Sequence, residues 1–323
     1  MTVFVESTDC QEGRPPFFFP GVRIWSFLLE ADPGSLEDWC DRFLNVSPQF
    51  RFRPVTNHVF LGFNDYPKMV SEAPGMEGLG FITQHEYYLM LPVVRKDLDA
   101  SNFFLPHELT WAFPFIGVDN ASSASTGREV LGFQKTVGRI ELASQAETPS
   151  APNAFEGRVA MPGFRTLGPD AAQEILPLVH ATADGPLSPD AAAAHVWPWS
   201  MLHHAGLLGH LEDGIFHLFS RLEPGIDSVT NLKQFRDPEQ PGMAAYQALV
   251  RCHWALSNIG PPTMFEHASV RITDNLAFRP VADLGLIPSG PAARDGTPFT
   301  PLLATSVTTD MRFDQVKTLW AAP

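Results

Sequence analysis

The chain has 323 residues, 44% of them hydrophobic, which suffices for a buried core in one or two domains. A net charge of -14 excludes the concentrated Lys and Arg surface that nucleic acid or an anionic membrane requires. It leaves room for a small anionic substrate, which one local arginine can hold. No apolar run reaches the ~18 residues of a membrane helix. Residues Met1 to Gly13 carry Glu6, Asp9 and Glu12 and no basic stretch, unlike a secretory leader. Cys10, Cys40 and Cys252 are too few for a disulfide framework, so a reducing, cytoplasmic location is expected.

Thirty prolines and 24 glycines cut the chain into short runs rich in Val, Phe and Leu, which favours strands. Arg23 to Leu29 reads as a strand with Arg23, Trp25, Phe27 and Leu29 on one face. Asp32-Pro33-Gly34-Ser35 is a turn, with Ser35 able to cap a helix from Leu36 to Leu44. Phe50 to Phe63, Gly80 to Val94, Thr110 to Val118 and Val130 to Ala143 read as further strands. Ala244 to Ile259, Ala268 to Ile272 and Thr305 to Phe313 complete an antiparallel set. The segment between about 145 and 215 is rich in Ala, Pro and His. Asp170 to His180 and Asp190 to Leu211 read as helical, so this segment is expected to be a helical insertion in a single domain spanning 1–323.

The most informative run is Gly127-Arg128-Glu129-Val130-Leu131-Gly132-Phe133-Gln134-Lys135-Thr136. The chain has five lysines, and Lys135 stands in an apolar, strand-like stretch. On a strand, Leu131, Phe133, Lys135 and Val137 would share a face directed at the core, with Gln134 opposite. Two readings follow. The lysine reaches the rim or pairs with a carboxylate, or desolvation disfavours its ammonium form and the neutral amine serves as a nucleophile for a carbonyl. A phosphate loop is excluded, because Phe133 and Gln134 separate Gly132 from Lys135. Glu86, in His85-Glu86-Tyr87-Tyr88-Leu89-Met90-Leu91, lies in a run suited to a buried strand and is either an ion-pair partner or a proton-transfer group.

Other chemistry finds less support. His203, His210 and His217, with His195 and His204 nearby, recur along one stripe about 10 Å apart per heptad, which does not suit a zinc site. No metal or cofactor is expected. There is no Gly-x-Ser-x-Gly elbow, and Cys252 and His253, as strand neighbours, point to opposite faces.

These residues together resemble the acetoacetate decarboxylase-like superfamily. Gly127-Arg128-Glu129, Phe133 and Lys135 match its signature, with Gln134 in place of the usual proline and Thr136 in place of the second lysine. Asp119-Asn120, the six-residue spacing from Glu86 to Pro92-Val93, Ala268 to Ile272, Pro280 to Leu284 and Thr309-Asp310-Met311 extend the resemblance over roughly residues 15 to 320. It implies a mainly β (α+β) fold, an antiparallel β-barrel or cone, and a homo-oligomer. It also implies that Lys135 forms an imine with a 3-oxo or 2-oxo acid, as in the family's decarboxylases, whose lysine is activated by desolvation or a neighbouring cation. Glu86 would move protons, Arg23 would hold the substrate carboxylate, and Phe133, Leu131, Tyr88 and Met90 would form part of a dry wall. Without a second lysine, burial must act alone on Lys135, which weakens the case for acetoacetate itself. An aldolase-dehydratase of the same superfamily, a non-catalytic barrel binding an apolar molecule, and an enzyme of another class using Glu86 as general base are the alternatives.

Overall fold

The computed structural model describes residues 13–76, 78, 80–98, 108–144, 154–186 and 227–322. Their elements, in chain order, are β1 (Phe17–Glu30), α1 (Pro33–Phe43), β2 (Phe50–Pro54), β3 (His58–Ser71), β4 (Ile82–Asp97), β5 (Glu108–Val118), α2 (Ala121–Glu129), β6 (Lys135–Val137), β7 (Arg139–Ser144), β8 (Phe155–Gly163) and β9 (Glu174–Pro186). There follow β10 (Ser228–Arg236), β11 (Ala244–Ser257), β12 (Thr263–Ile272), α3 (Pro280–Leu284), β13 (Thr297–Phe299) and β14 (Leu303–Ala321). All the strands join one sheet in the order β1-β3-β4-β5-β10-β11-β14-β12-β9-β8-β7, with β2, β6 and β13 at its side. Strand β1 also pairs β14, so the ladder returns to its start through seven strands.

The sheet is mixed, not purely antiparallel as expected: β6 and β10 both run parallel to β5. Parallel neighbours need a crossover. Helix α2 supplies the one between β5 and β6.

Both faces of the central strands are buried. On β4, Tyr87, Leu89 and Leu91 pack into one hydrophobic cluster, and Tyr88 and Met90 into the other. On β1, Trp25, Phe27 and Leu29 join the first cluster and Ile24 and Leu28 the second. A strand covered on both sides reads as a continuous apolar run, which is the sequence of Tyr87 to Val94.

Four further expectations are corrected. Gly127-Arg128-Glu129 does not lead into a strand but forms the last turn of α2, whose first turn is capped by the Asn120 side chain. Gly132, at φ 73°, takes the left-handed conformation just past that helix, and the strand begins at Lys135. Val137, expected to face the core, is 41% exposed. Asp170 to His180 is not helical. Pro177 disfavours a helix interior, and Glu174–Pro186 is a strand paired with β8 and β12. Asp190 to Leu211 and the histidines from His195 to His217 lie outside the described residues. Helix α1 begins three residues before Leu36, because the Asp32 carboxylate, not Ser35, caps it.

Arg23 shares the face of Trp25 and Phe27, as its period requires, and its half-exposed guanidinium pairs with Asp65 at 2.5 Å. His85 lies beside them, 2.8 Å from Asp119 and 3.7 Å from Asp65. The hydrogen bond to Asp119 holds the His85 imidazolium above the usual histidine range, with both carboxylates adding attraction against partial burial. A histidine raised in the folded state contributes stability that is complete below its unfolded value and lost as pH rises through the folded one. Urea midpoints of wild type and His85→Gln are therefore expected to differ below the ordinary histidine value of about 6.5 and to converge as pH rises through the raised folded value. The gap should be of the order of 0.5 kcal/mol, as for other partly exposed pairs. A gap that is constant or widens with pH would contradict this.

Candidate active site

Lys135 opens β6, and its neighbours fix its direction. Gln134 turns to the other side and donates to the Leu232 carbonyl at 2.8 Å. Leu131, Phe133 and Lys135 are all buried on the inner side. The aliphatic chain of Lys135 runs over Gly127 of α2, where a Cβ would lie 2.7 Å from the lysine Cδ and 2.9 Å from Cε. This close approach accounts for glycine in the seventh position of a nine-residue helix, where it costs about 1 kcal/mol relative to alanine.

The amine ends in a closed polar cluster. Lys135 Nζ donates to Glu86 Oε2 at 2.7 Å and to Ser123 Oγ at 3.2 Å. Its partner's second oxygen, Glu86 Oε1, accepts from the Tyr66 hydroxyl at 3.0 Å. Asn64 Nδ2 donates to that hydroxyl at 2.6 Å, and Tyr88 donates to Asn64 Oδ1 at 3.3 Å. Lys135 is 8% exposed and Glu86 6%. Such a pair survives burial only when hydrogen bonds support its remaining atoms, and here four side chains on β3, β4 and α2 do so. Burial, then the charge of Glu86, pushes the Tyr66 phenol well above its ordinary value, so it remains a donor. Burial likewise raises Tyr88.

The cavity around this cluster is walled by rings. Phe17, Phe19, Phe113, Phe133, Trp254 and Phe313 line it, together with Tyr88, Leu131 and Met311. Phe113 packs edge-on to both Tyr88 and Phe133, and the Phe133 ring lies 5.6 Å from Lys135 Nζ. The free space inside is about 30 Å³, so any substrate larger than water must push lining side chains aside to enter. Lys135 and Glu86 are the lysine and carboxylate of its lining, and the other described lining residues are uncharged side chains.

Of the residues singled out from sequence, Lys135, Glu86, Phe133, Leu131 and Tyr88 come together at this cavity. Met90 does not line it: it is fully buried one step further along β4, in the same hydrophobic cluster. Arg23 is also not brought to it, because it points from the opposite face of β1. Thr136 faces away from Lys135, on the other side of β6. Sequence reading missed Ser123, Tyr66, Asn64 and Gln84. Gln84 was within reach, since it precedes Glu86 by two on the same strand. Asn64 and Tyr66 depend on the register that sets Asn64 against Glu86 and Tyr66 against Gln84. Cys252 and His253 point to opposite faces as expected. The Cys252 thiol is buried and pushed up to about 12, and His253 pairs with Asp314 at 2.7 Å.

No protein-family profile matches the chain, and no curated protein matches it by sequence. Solved structures do match. An acetoacetate decarboxylase from Legionella pneumophila superposes with a TM-score of 0.58 over 95% of this chain and 88% of that one, at 13% identity. An acetoacetate decarboxylase-like enzyme from Sphingomonas wittichii gives 0.58 over 95% and 94%, at 11% identity. The enduracididine biosynthesis enzyme MppR, in complex with the condensation product of pyruvate and imidazole 4-carboxaldehyde, gives 0.57 over 97% and 92%, at 12% identity. The chain thus has the fold of the acetoacetate decarboxylase-like enzymes.

Proposed function

We propose that this chain is a Schiff-base-forming carbon–carbon lyase whose nucleophile is Lys135. The observation that carries the reading is a buried amine 2.7 Å from a buried carboxylate in an aromatic cavity. The fold neighbours, an acetoacetate decarboxylase and an enzyme solved with a pyruvate condensation product, support it.

The chemistry follows from the geometry. Glu86 takes a proton from Lys135, and the neutral amine adds to a ketone carbon. Loss of water leaves a protonated imine. The iminium then accepts the electron pair of an adjacent carbon–carbon bond as that bond breaks, giving an enamine. The proton taken up by Glu86 leaves with that water, so the enamine carbon takes its proton from solvent water, relayed by Glu86, and hydrolysis of the resulting iminium releases the product and restores the amine. Tyr66 and Ser123 orient the two partners throughout. Among the described residues no second cation lines the cavity, and Glu86 is the near acceptor for the proton that leaves Nζ. The keto-acid substrate implied by sequence needs a partner for its carboxylate, and Arg23 does not supply one at this cavity.

Borohydride treatment with small ketones, including acetoacetate and pyruvate, should leave a reduced adduct that peptide mapping places on Lys135. Glu86→Gln should slow its formation by about 100-fold. Absence of an adduct with every ketone, or an adduct on another lysine, would count against the reading and leave a ligand-binding module.

Removing one partner leaves the other buried and uncompensated. Lys135→Met is expected to cost about 3–5 kcal/mol in urea unfolding. The double variant Lys135→Met/Glu86→Gln should be more stable than Lys135→Met alone, and equal stability of the two would show that the pair is not coupled.

Gly127→Ala separates fold from site. Helix α2 gains propensity while the new Cβ pushes on Lys135. Thermal stability should stay close to wild type, whereas adduct formation should fall at least about tenfold, since displacements near 1 Å cost that much or more. Unchanged trapping would show that the lysine has other room.

A further inference from the structure

One polar group in the cavity is not used by the lysine cluster. Gln84, on β4 two residues before Glu86, lines the same cavity and is 4% exposed. Its Oε1 is buried and has no hydrogen-bond partner among the described residues. An unpaired buried amide oxygen is costly to the fold, and such a group facing a cavity can be met by what enters it. Gln84 and Glu86 share a face at a separation of about 7 Å, so a molecule bound to Lys135 can reach the amide with its other end.

Charge decides what that end can be. Among the described residues the cavity holds one cation and one anion, already paired. A substrate carboxylate would bring in a second anion before any iminium exists, in a wall of aromatic rings. Burying an ionised carboxylate without a partner is far more costly than burying a hydrogen-bonded neutral group. An amide is itself neutral, with an acceptor oxygen and a donor nitrogen, and it matches a hydroxyl or carboxamide without a charge imbalance.

Building on the imine reading above, we propose that Gln84 is the second anchor of the cavity, and that the substrate is a neutral carbonyl compound carrying a hydroxyl or amide at its far end, not a keto acid. Imine formation then conserves charge: Nζ bonds to the carbonyl carbon, its oxygen leaves as water, and the iminium stays paired with Glu86.

The test uses three ketones of one skeleton with the full-length protein: 4-oxopentanamide, 4-oxopentanoate and 2-pentanone. Each is titrated in borohydride trapping, with the adduct on Lys135 measured by mass. In wild type the amide should half-saturate at a concentration at least about tenfold below both the carboxylate and the plain ketone. Gln84→Met should bring the amide to the level at which 2-pentanone is trapped in the same variant. Trapping of 4-oxopentanoate as effective as that of the amide in wild type would overturn the inference while leaving the imine reading intact. So would an amide preference that survives Gln84→Met. The wild-type comparison stands alone if the variant does not fold. No adduct with any of the three would sink the imine reading itself, and this inference with it.

Discussion

The buried ion pair of Lys135 and Glu86 is the interaction on which the rest of the site depends. Taking an ammonium and a carboxylate out of water costs several kcal/mol per ion, and their mutual attraction offsets this only with good geometry and with hydrogen-bond support for the remaining donors and acceptors. Ser123 on the amine, Tyr66 on the second carboxylate oxygen, and Asn64 and Tyr88 behind Tyr66 supply that support, engaging both carboxylate oxygens and, with Glu86, two of the three ammonium protons. The phenol of Tyr66 must remain protonated to do so, and burial beside Glu86 keeps it protonated. The cluster is therefore closed: each member supplies what its neighbour lacks.

That closure is made by topology. Strands β5 and β6 lie parallel, so the chain must cross over between them, and α2 is that crossover. The same few residues thereby present Ser123 from the helix and Lys135 from the strand to one point. Gly127 lets the helix lie against the lysine stem. Gly62 plays the equivalent part on β3, where a Cβ would meet the Tyr88 ring at 2.1 Å. Small residues under large ones bring the polar ends together without leaving space around them.

This arrangement explains what could be read from the sequence and what could not. Lys135 and Glu86 were legible because a charged residue in an apolar run with a period of two is conspicuous. Face assignment within one strand also held: Gln134 opposes Lys135, and Arg23 stays with Trp25 and Phe27. What one strand's period does not give is which of two buried faces carries the site. Arg23 was assigned to the cavity, whereas the pairing of β1 with β3 sets it beside Asp65. Asn64 and Tyr66 were hidden for the same reason, since a cross-strand register is a long-range fact. Helix α2 was missed because Ala121-Ser122-Ser123-Ala124-Ser125-Thr126 has little apolar periodicity. Its helix rests on the Asn120 cap and on packing against β5 and β6. Asp170 to His180 reads as helix because Ala171-Ala172-Gln173-Glu174 favours one, while Pro177 carries the contrary signal and the strand runs from Glu174 to Pro186.

Electrostatic balance ties the fold to the proposed chemistry. A dry cavity with one cation and one anion is neutral, and a proton moved between them stays within 2.7 Å of where it began. Amine activation then needs neither exchange with bulk water nor a second cation at Thr136, which faces away from the cavity. The same economy limits the ligand. Any group that adds a charge must bring its own counter-charge or find one, and the aromatic wall offers none. A neutral amide such as Gln84 can recognise a polar end without disturbing the pair. Reactivity at Lys135 and selectivity at Gln84 thus follow from a single constraint, the exclusion of unpaired charge from a low-dielectric space.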